Sequence, residues 1–457
     1  MTPLVPLTMF GWIPAVLGIF VKFKPRAAVI IAFLSAWMFL PIVEYPLPGL
    51  PDYTKMSATC IGIFIAAFIF DQERILSFRP SIVDTPMILW CVCPLISSLT
   101  NGLGLYDGLA TLLRYVFTWG FPYLIGRLYF SDLKGLRDFA MGIFWGGLVY
   151  VPLCLLENLL SPQLHHWIYG FYQNSFAQTY RWGGWRPMVF MDHGLMVAVW
   201  MMSAFLIGFW MWVTGTRTRI KQYPISWFVG LLFFTFLMAR STGAWALSIM
   251  GAGVLFSIKF VKRSILVACL VIVPVVYMSV RATGLWDGYS LQKFVAENIS
   301  YDRALSLWTR MENENIVVEK ALQRPFFGWG GWGRSRVYNE EGEDITVTDG
   351  LWINILGEHG LVGLSLFTIV FLLPISLLFK HYPVKTWVKP NVVPSVVLSI
   401  LLVLYVIDCL MNGMINPIYT VAAGGLTGLK NERLLPKEKD MPMENIPFIV
   451  NRAPRFL

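Results

Sequence analysis

Charged side chains are scarce in this sequence: Asp, Glu, Lys and Arg make up only 14% of its 457 residues. A soluble domain carries about 25% charged residues, and the few charges here separate long apolar runs. An ordinary soluble fold is therefore excluded. The runs indicate helices that cross a membrane, because the backbone must satisfy its own hydrogen bonds in lipid. A membrane barrel is excluded as well, since it would show short alternating segments instead of continuous runs.

Cysteine and histidine are also few. The six cysteines all fall in apolar runs, and no cysteine or histidine partner shares a loop with them. Neither a disulfide framework nor a zinc site is therefore predicted. The acidic run at residues 340–344 is typical of a solvated turn rather than of a magnesium site. Phosphate-loop, dinucleotide and serine-elbow motifs are absent. We expect neither a metal nor a cofactor.

The apolar runs predict an all-α polytopic membrane protein with about 12 to 13 spans, because each span needs about 20 apolar residues. Residues 1–280 hold the first spans, about ten of them, and residues 281–349 form a large outer loop that is partly helical. Residues 350–429 hold the C-terminal spans, and residues 430–457 form a basic cytoplasmic tail. Residues 414–429 form either a short last span or a re-entrant segment. Spans are predicted to begin near residues 5, 27, 57, 84, 109, 138, 188, 223, 241, 264, 350 and 393.

The basic residues predict the orientation. The formal net charge is +9, and the positive-inside rule explains it better than a nucleic-acid partner, because the basic residues lie in short loops. We place those loops in the cytoplasm, so that the two long loops, 161–187 and 281–349, face outwards. The same count puts the N-terminus outside; if the first apolar segment is a hairpin or lies in the interface, the N-terminus is inside. The basic loops are 22–26, 71–80, 131–137, 214–222, 262–263 and 380–389.

The two outer loops combine cationic and aromatic side chains, which suits sugars and phosphates. Loops longer than about 12–15 residues are usually functional or disordered, and the tryptophans and helical spacing within 281–349 argue against disorder. Residues 324–336 read RPFFGWGGWGRSR, and their glycines predict a tight turn that holds the loop on the bundle. Contacts with a glycan are predicted for Arg186, Trp329, Trp332, Arg334 and Arg336.

Several ionisable residues lie at or inside predicted spans, where a charge is a functional hypothesis by default. Arg240 separates two spans at the outer surface, where its guanidinium either binds a phosphate or anchors a helix end. For Arg114, Glu157 and Asp408 we favour structural pairs within the bundle. These three residues would instead take part in transport if the protein were a glycolipid transporter or flippase, which is the alternative class.

Two further sets of residues could carry chemistry. Asp192 and His193 lie at the outer start of a predicted span, either as an acid/base site or as a capped helix start. Arg303 and Arg310 lie seven residues apart in a segment of the large loop with helical spacing, so they share one face of a helix.

Several motifs follow one another in a distinctive order. A span ends in FFTFLMAR and is followed by STGAWALSIMGAG, and then by RALSLW, ALQRPFFGWGGWG and TDGLWINILGEHGLVGLSLF. The segment RPMVFMDHGLMVA precedes them. This order, over residues 231–373, resembles the O-antigen ligase and O-antigen polymerase family of bacterial polytopic glycosyltransferases. The individual motifs are short, and their order and spacing in one chain make the resemblance specific.

The resemblance implies a GT-C-like enzyme of the bacterial inner membrane whose active site faces the periplasm. The implied donor is an oligosaccharide linked to undecaprenyl pyrophosphate, the acceptor is a glycan or a lipid, and no metal is needed. Ligase, polymerase and protein glycosyltransferase activities all stay open. The resemblance assigns the donor pyrophosphate to Arg240 and to a second arginine, which is either Arg303 or Arg310.

The implied catalytic base departs from the family pattern. Where the family has a histidine, this sequence has Asp349, and a carboxylate can also act as a general base toward a sugar hydroxyl. His193 is the second candidate for this role. His359, ten residues after Asp349, lies inside a predicted span and is a poor substitute.

Overall fold

The computed structural model describes residues 1–47, 50–298, 300–346 and 348–430. Helices dominate these residues, and the prediction of an all-α polytopic membrane protein is confirmed. Of the predicted cytoplasmic tail, residues 431–457 lie outside the described ranges.

The helices follow one another with short connections, apart from the two long outer loops. In chain order they are α1 (Leu4–Lys22), α2 (Pro25–Phe39), α3 (Lys55–Phe70), α4 (Gln72–Ser77), α5 (Thr85–Thr100), α6 (Leu105–Tyr115), α7 (Phe121–Tyr129), α8 (Leu133–Leu160), α9 (Leu164–Tyr169), α10 (Gly194–Val213), α11 (Ile225–Met238), α12 (Thr242–Phe260), α13 (Ile265–Ala282), α14 (Tyr289–Asn298), α15 (Tyr301–Leu322), α16 (Leu351–His381), α17 (Val393–Met411) and α18 (Pro417–Thr427).

Within the described ranges, eight helices are long and apolar enough to cross a membrane. Three shorter apolar helices, α2, α3 and α11, lie between them. A π-helical turn at Val116–Gly120 joins α6 to α7. The helices begin within a few residues of the predicted span starts, and α10 is the exception because it begins at Gly194 instead of near residue 188. The eight long segments are Leu4–Lys22, Ile82–Thr100, Leu133–Leu160, Gly194–Val213, Thr242–Phe260, Ile265–Ala282, Leu351–His381 and Val393–Met411.

Among the described residues, three short antiparallel hairpins interrupt the helical pattern, and the sequence patterns do not predict them. A strand of two to five residues is too short to show an alternating pattern. One of the hairpins, β3–β4, lies in the outer loop 161–187 and covers part of the site described below. The strand pairs are β1 (Glu44–Leu47) with β2 (Leu50–Thr54), β3 (Tyr180–Arg181) with β4 (Gly184–Trp185), and β5 (Arg219–Ile220) with β6 (Tyr223–Pro224).

The start of the chain packs against the outer loop 161–187. The backbone N–H of Thr2 donates to the carbonyl of Tyr169 at 2.9 Å, and its hydroxyl donates to the carbonyl of Ile168 at 2.8 Å. Between Thr2 and the first basic loop, α1 is one continuous helix. This arrangement agrees with the count that puts the N-terminus and loop 161–187 on the same face.

The helix α16 is broken at Gly360, and residues 325–330 fill the break. Gly360 has φ 65° and ψ −164°, a region that is essentially restricted to glycine. Above the break, the N–H groups of Trp329 and Gly330 donate to the carbonyls of residues 357 and 358, each at 2.9 Å. Below it, the N–H groups of residues 361 and 362 donate to Pro325 and Phe326, at 2.7 and 3.1 Å. The glycine-rich segment therefore restores the backbone hydrogen bonds that the break removes.

The last described helix, α18, has 11 residues and is about 16 Å long, about half the thickness of the apolar core of a bilayer. It is buried against α7. A Cβ at Gly424 would lie 2.0 Å from the carbonyl oxygen of Tyr123, and a Cβ at Gly126 would lie 2.0 Å from that of Val421. The two glycines let these helices approach closely, so the segment 414–429 contains a short, tightly packed helix instead of a full span.

Candidate functional site

The large loop carries Arg310 to the start of α16. The Nε atom of Arg310 lies 2.9 Å from Oδ2 of Asp349, and the two side chains are 36% and 44% exposed. Asp349 directly precedes Gly350, the N-cap residue of α16. A Cβ at Gly350 would lie 2.7 Å from the carbonyl oxygen of Leu410, so this glycine lets the turn pack on the end of α17. The result is an accessible ion pair where α15, α16 and α17 meet.

His193 caps the first turn of α10 and does not lie inside the helix. Its Nδ1 atom accepts a hydrogen bond from the N–H of Leu195 at 3.0 Å, so the proton of the neutral ring is on Nε2. Nε2 lies 3.2 Å from Oε1 of Gln178 and donates to it. His193 is thus the N-cap residue of α10, and Asp192 precedes the helix instead of lying among its first residues. Burial raises the pKa of Asp192, and the nearby Lys55 opposes the shift.

The charges around His193 show which side chains surround it. Burial and the positive charges of Arg186 and Arg181 lower its pKa to about 4, while the Asp349 carboxylate acts in the opposite direction. His193 is therefore neutral near pH 7. The charges that act on His193 therefore come both from loop 161–187 and from Asp349, directly before α16.

Arg186 is the buried cation of this site. It is 4% exposed and packs on Gly194, where a Cβ would lie 2.3 Å from Arg186 Cδ. One amino group donates to the carbonyl of Arg240 at 3.0 Å, and Nε has no partner among the described residues. Burial and the charge of Arg181 lower its pKa to about 10, so it remains charged. Within the described ranges no carboxylate lies at ion-pair distance from Arg186, and a buried cation without an anion is costly.

Arg240 fastens the β3–β4 hairpin. It lies at the turn between α11 and α12 with φ 51°, so that an apolar helix flanks it on each side. Its guanidinium donates to the carbonyls of Arg181 and Trp182. A Cβ at Gly184 would lie 2.2 Å from an Arg240 amino group, so the hairpin closes directly over the guanidinium. Its Nε has no partner among the described residues. Arg240 therefore has both a structural role and one donor left unpaired.

Three of the predicted glycan contacts are engaged with other groups of the protein. The indole N–H of Trp329 donates to a backbone carbonyl of α15 at 2.8 Å. Arg334 pairs with Asp107 at 2.9 Å, and Arg336 pairs with Asp344 at 2.6 Å. The contact of Arg334 with Asp107 on α6 ties the glycine-rich segment to the bundle, whereas the other two contacts lie within the large loop. Trp332 differs, because 56% of it is exposed.

The three charged residues that were predicted inside spans do not pair with one another in the described part of the chain. They are Arg114, Glu157 and Asp408. The guanidinium of Arg114 lies 5.5 Å from the ring centroid of Trp332. Asp408 accepts a hydrogen bond from the amide of Asn412 at 2.7 Å. It also lines a narrow crevice beside Leu195, two residues from His193.

Glu157 is a buried anchor for the outer loop. Its carboxylate is 1% exposed and accepts hydrogen bonds from the backbone N–H groups of Leu164, Met188 and Val189, at 3.0, 2.8 and 2.7 Å. These bonds hold residues 188–189 outside a helix, which explains why α10 begins later than the sequence suggests. Glu157 thereby places the segment that carries Arg186 and His193.

The three candidate bases differ in their exposure and in how many of their polar atoms already form hydrogen bonds within the protein. His193 uses Nδ1 for the helix cap. His359 is fully buried, with Nδ1 3.1 Å from the Ser97 hydroxyl and Nε2 2.6 Å from the Tyr115 hydroxyl. Asp349 is the most exposed of the three and contacts Arg310. The carboxylate is therefore the group with room to meet a substrate hydroxyl.

The structure connects several of the residues predicted from the sequence. Arg310 pairs with Asp349, the charges of Arg186 and Asp349 both act on His193, and Arg186 donates to the carbonyl of Arg240. Arg303 lies on α15, as expected, and its side chain is outside the described part of the chain. Sequence reasoning missed Arg181 and Gln178. The signal that could have found them is their place in the cationic-aromatic segment QTYRWGGWR.

A bundle of long apolar helices with a cluster of arginines in its connecting loops defines a polytopic membrane protein. Residues 227–368 match the family model described as O-antigen ligase, which confirms the resemblance to the O-antigen ligase and polymerase family. The matched range contains Arg240, Arg310 and Asp349. It supports a membrane enzyme of the glycosyltransferase type that uses a lipid-linked glycan. A search among curated proteins finds no match to the chain.

Proposed function

We propose that this protein is an inner-membrane glycosyltransferase that transfers or polymerises an oligosaccharide from undecaprenyl pyrophosphate at the periplasmic face, without a metal. The observation that carries the proposal is Arg186, a buried and charged guanidinium for which the described chain provides no anion. A pyrophosphate would supply that anion. The accessible Asp349 lies close enough for its charge to act on the same His193 that Arg186 affects.

In the proposed reaction, Asp349 is the general base. Its carboxylate takes the proton from the acceptor hydroxyl while that oxygen attacks the anomeric carbon of the donor sugar. The bond between this carbon and the pyrophosphate oxygen breaks, and undecaprenyl pyrophosphate leaves with the electron pair. Arg186, Arg240 and Arg310 stabilise the developing negative charge, because donors fixed in advance need no reorganisation during the reaction.

The sugar part of the substrate would contact exposed aromatic rings. Tyr180 is 56% exposed and forms an edge contact with Trp185 at a centroid distance of 5.0 Å, on the hairpin that Arg240 holds. Trp332 offers an exposed ring in the large loop. We therefore move Arg186 from the glycan contacts to the pyrophosphate contacts, and we keep Trp332 as a glycan contact.

The direct test supplies purified protein with a defined undecaprenyl-pyrophosphate oligosaccharide in the presence of EDTA, and the products are identified by mass spectrometry. The expected result is a transferred or extended glycan together with released undecaprenyl pyrophosphate. Activity that requires an added divalent ion would contradict the metal independence. Absence of any transfer to glycan, lipid or protein acceptors would contradict the function.

Deletion of the gene distinguishes the three activities that remain open. A polymerase predicts surface glycans reduced to single repeats. A ligase predicts long chains that stay on the lipid carrier. A protein glycosyltransferase predicts a protein that loses its glycan while the lipid-linked chains are unchanged.

A further inference from the structure

A buried cluster beneath the Arg310–Asp349 pair ties the large loop to the bundle. Arg281 is the penultimate residue of α13 and is 1% exposed, and Glu314 on α15 is 4% exposed. Their charged atoms lie 2.9 Å apart. Arg281 also donates to the carbonyl of Met311 at 3.0 Å and to the side chain of Asn315 at 2.7 Å. The end of α13 is therefore bound to two successive turns of α15.

The same carboxylate reaches the start of α16. The indole N–H of Trp352 donates to Oε1 of Glu314 at 3.2 Å, and the hydroxyl of Tyr277 on α13 donates to Oε2 at 3.0 Å. Trp352 is fully buried. Burial raises the pKa of Glu314, while the bonds from Arg281, Tyr277 and Trp352 act in the opposite direction. One buried carboxylate thus joins α13, α15 and α16.

The position of this cluster in the sequence links it to the exposed pair. Arg310 precedes Glu314 by four residues on α15, which is about one helical turn, and Asp349 precedes Trp352 by three residues. An ion pair as exposed as Arg310–Asp349 contributes little by itself. It cannot hold a loop helix against the bundle. The buried contacts of Glu314 can, because they leave none of the donors around it unpaired.

We infer that Glu314 and Arg281 are positioning residues that hold Arg310 against Asp349 for the reaction. This inference rests on the proposed function for the chemistry, and on the contacts of Glu314 and Arg281 alone for the geometry. Displacement of a catalytic group by about 1 Å can reduce the rate roughly 10²-fold. Loss of the cluster should therefore lower kcat without preventing donor binding through Arg186.

A double-mutant cycle tests this role in the full-length protein. Glu314→Gln is expected to lower kcat about 10²-fold and to leave the KM for the lipid-linked donor nearly unchanged. In an Arg310→Ala background, Glu314→Gln should have little further effect, because its target is already absent. Independent, multiplicative losses would show that Glu314 only stabilises the fold. Glu297→Gln, which removes an exposed acid of the same loop, is the matched control and should behave as wild type.

Tyr277→Phe provides a milder variant in case Glu314→Gln folds poorly. It removes one hydrogen bond to Glu314 and keeps the ring, so it should give a smaller decrease in kcat with the same unchanged KM. A raised KM for the lipid-linked donor with a normal kcat would overturn the inference.

A distance measurement separates the inference from the proposed function. Spin labels on Thr309→Cys and Leu159→Cys, with Cys269→Ser in the background, report the distance between α15 and the end of α8. All three positions are exposed. We expect a narrow distance distribution in the otherwise wild-type protein and a broad one with Glu314→Gln. An unchanged distribution would overturn the positioning role whatever the activity. If Glu314→Gln broadens the distribution but the protein with Glu314 intact shows no transferase activity, the positioning role is supported and the proposed function is rejected.

Discussion

At the scale of single residues, Arg186 differs from two arginines of the large loop. Arg334 and Arg336 have acidic partners, whereas Arg186 is buried without one in the described chain. Arg186→Ala should lower kcat by about 10²–10³-fold, as expected for the loss of one fixed donor to a developing charge. Arg186→Lys should recover only part of this loss, because an ammonium lacks the planar fork. Turnover of the defined lipid-linked donor measures both effects.

The matched control for Arg186 is Arg336→Ala, which removes an exposed arginine already paired with Asp344. Near-normal turnover is expected for this variant. If Arg336→Ala were as damaging as Arg186→Ala, charge in the outer loops in general would be the requirement, and the specific site would be wrong.

A second prediction separates Asp349 from His193. Asp349→Asn should lower kcat by about 10²–10⁴-fold, because it removes the proposed general base. His193→Asn should retain most of the activity, since asparagine is also a good N-cap residue. His193→Ala should lower the free energy of unfolding by about 1 kcal/mol through the lost cap. Loss of activity in His193→Asn with a normal Asp349→Asn would reverse the assignment.

The depressed pKa of His193 also predicts how stability depends on pH. The ring titrates near 6.5 in the unfolded chain and at about 4 in the folded protein. Between these values the unfolded state binds more protons, so the contribution of His193 to stability is complete above about pH 6.5 and is lost as the pH falls to about 4. Thermal unfolding from pH 7 to 4 should show a smaller decrease in Tm for His193→Asn than for wild type. Equal decreases would contradict the prediction.

At the scale of elements, helix boundaries follow from composition, while hydrogen-bond partners do not. The position of Arg240 between two apolar helices was readable because apolar runs flank it in the sequence. Its partners, the carbonyls of Arg181 and Trp182, were not readable, since backbone acceptors carry no sequence signal. Likewise, the spacing of Arg310 on α15 predicts its face, and the contact with Asp349 depends on how a long loop folds back.

The break in α16 is an element whose purpose becomes clear only from the structure. Gly360 has a conformation that other residues avoid, and an added Cβ would lie 2.5 Å from the carbonyl carbon of Phe326. Gly360→Ala should therefore cost more than about 3 kcal/mol, the upper end of the cost of backbone strain alone. The Tm and the monodisperse fraction after purification measure this loss.

The control for the helix break is Gly230→Ala in α11. No atom lies within 4 Å of the Cβ that this change would add, and alanine is favoured over glycine inside a helix by about 0.5–1 kcal/mol. A small gain in Tm, or none, is expected. An equal decrease in Tm for Gly360→Ala and Gly230→Ala would mean that the packing of residues 325–330 into the helix break does not require glycine at position 360.

At the scale of the whole molecule, the arrangement of the first helix tests the orientation on which the function depends. Helix α1 has 19 residues and is about 28 Å long, close to the thickness of the apolar core of a bilayer. Its first end packs on the outer loop 161–187 and its last end reaches the basic loop 22–26. Pro3 and Lys24, both exposed, should therefore lie on opposite sides of the membrane, with Pro3 on the side of Arg186 and Asp349.

In a background without native cysteines, Pro3→Cys should react with an impermeant maleimide in spheroplasts, and Lys24→Cys should react only after lysis. Reaction of both before lysis would mean that α1 does not cross, and reaction of Lys24→Cys alone would put the arginine site in the cytoplasm, where a periplasmic transferase could not work.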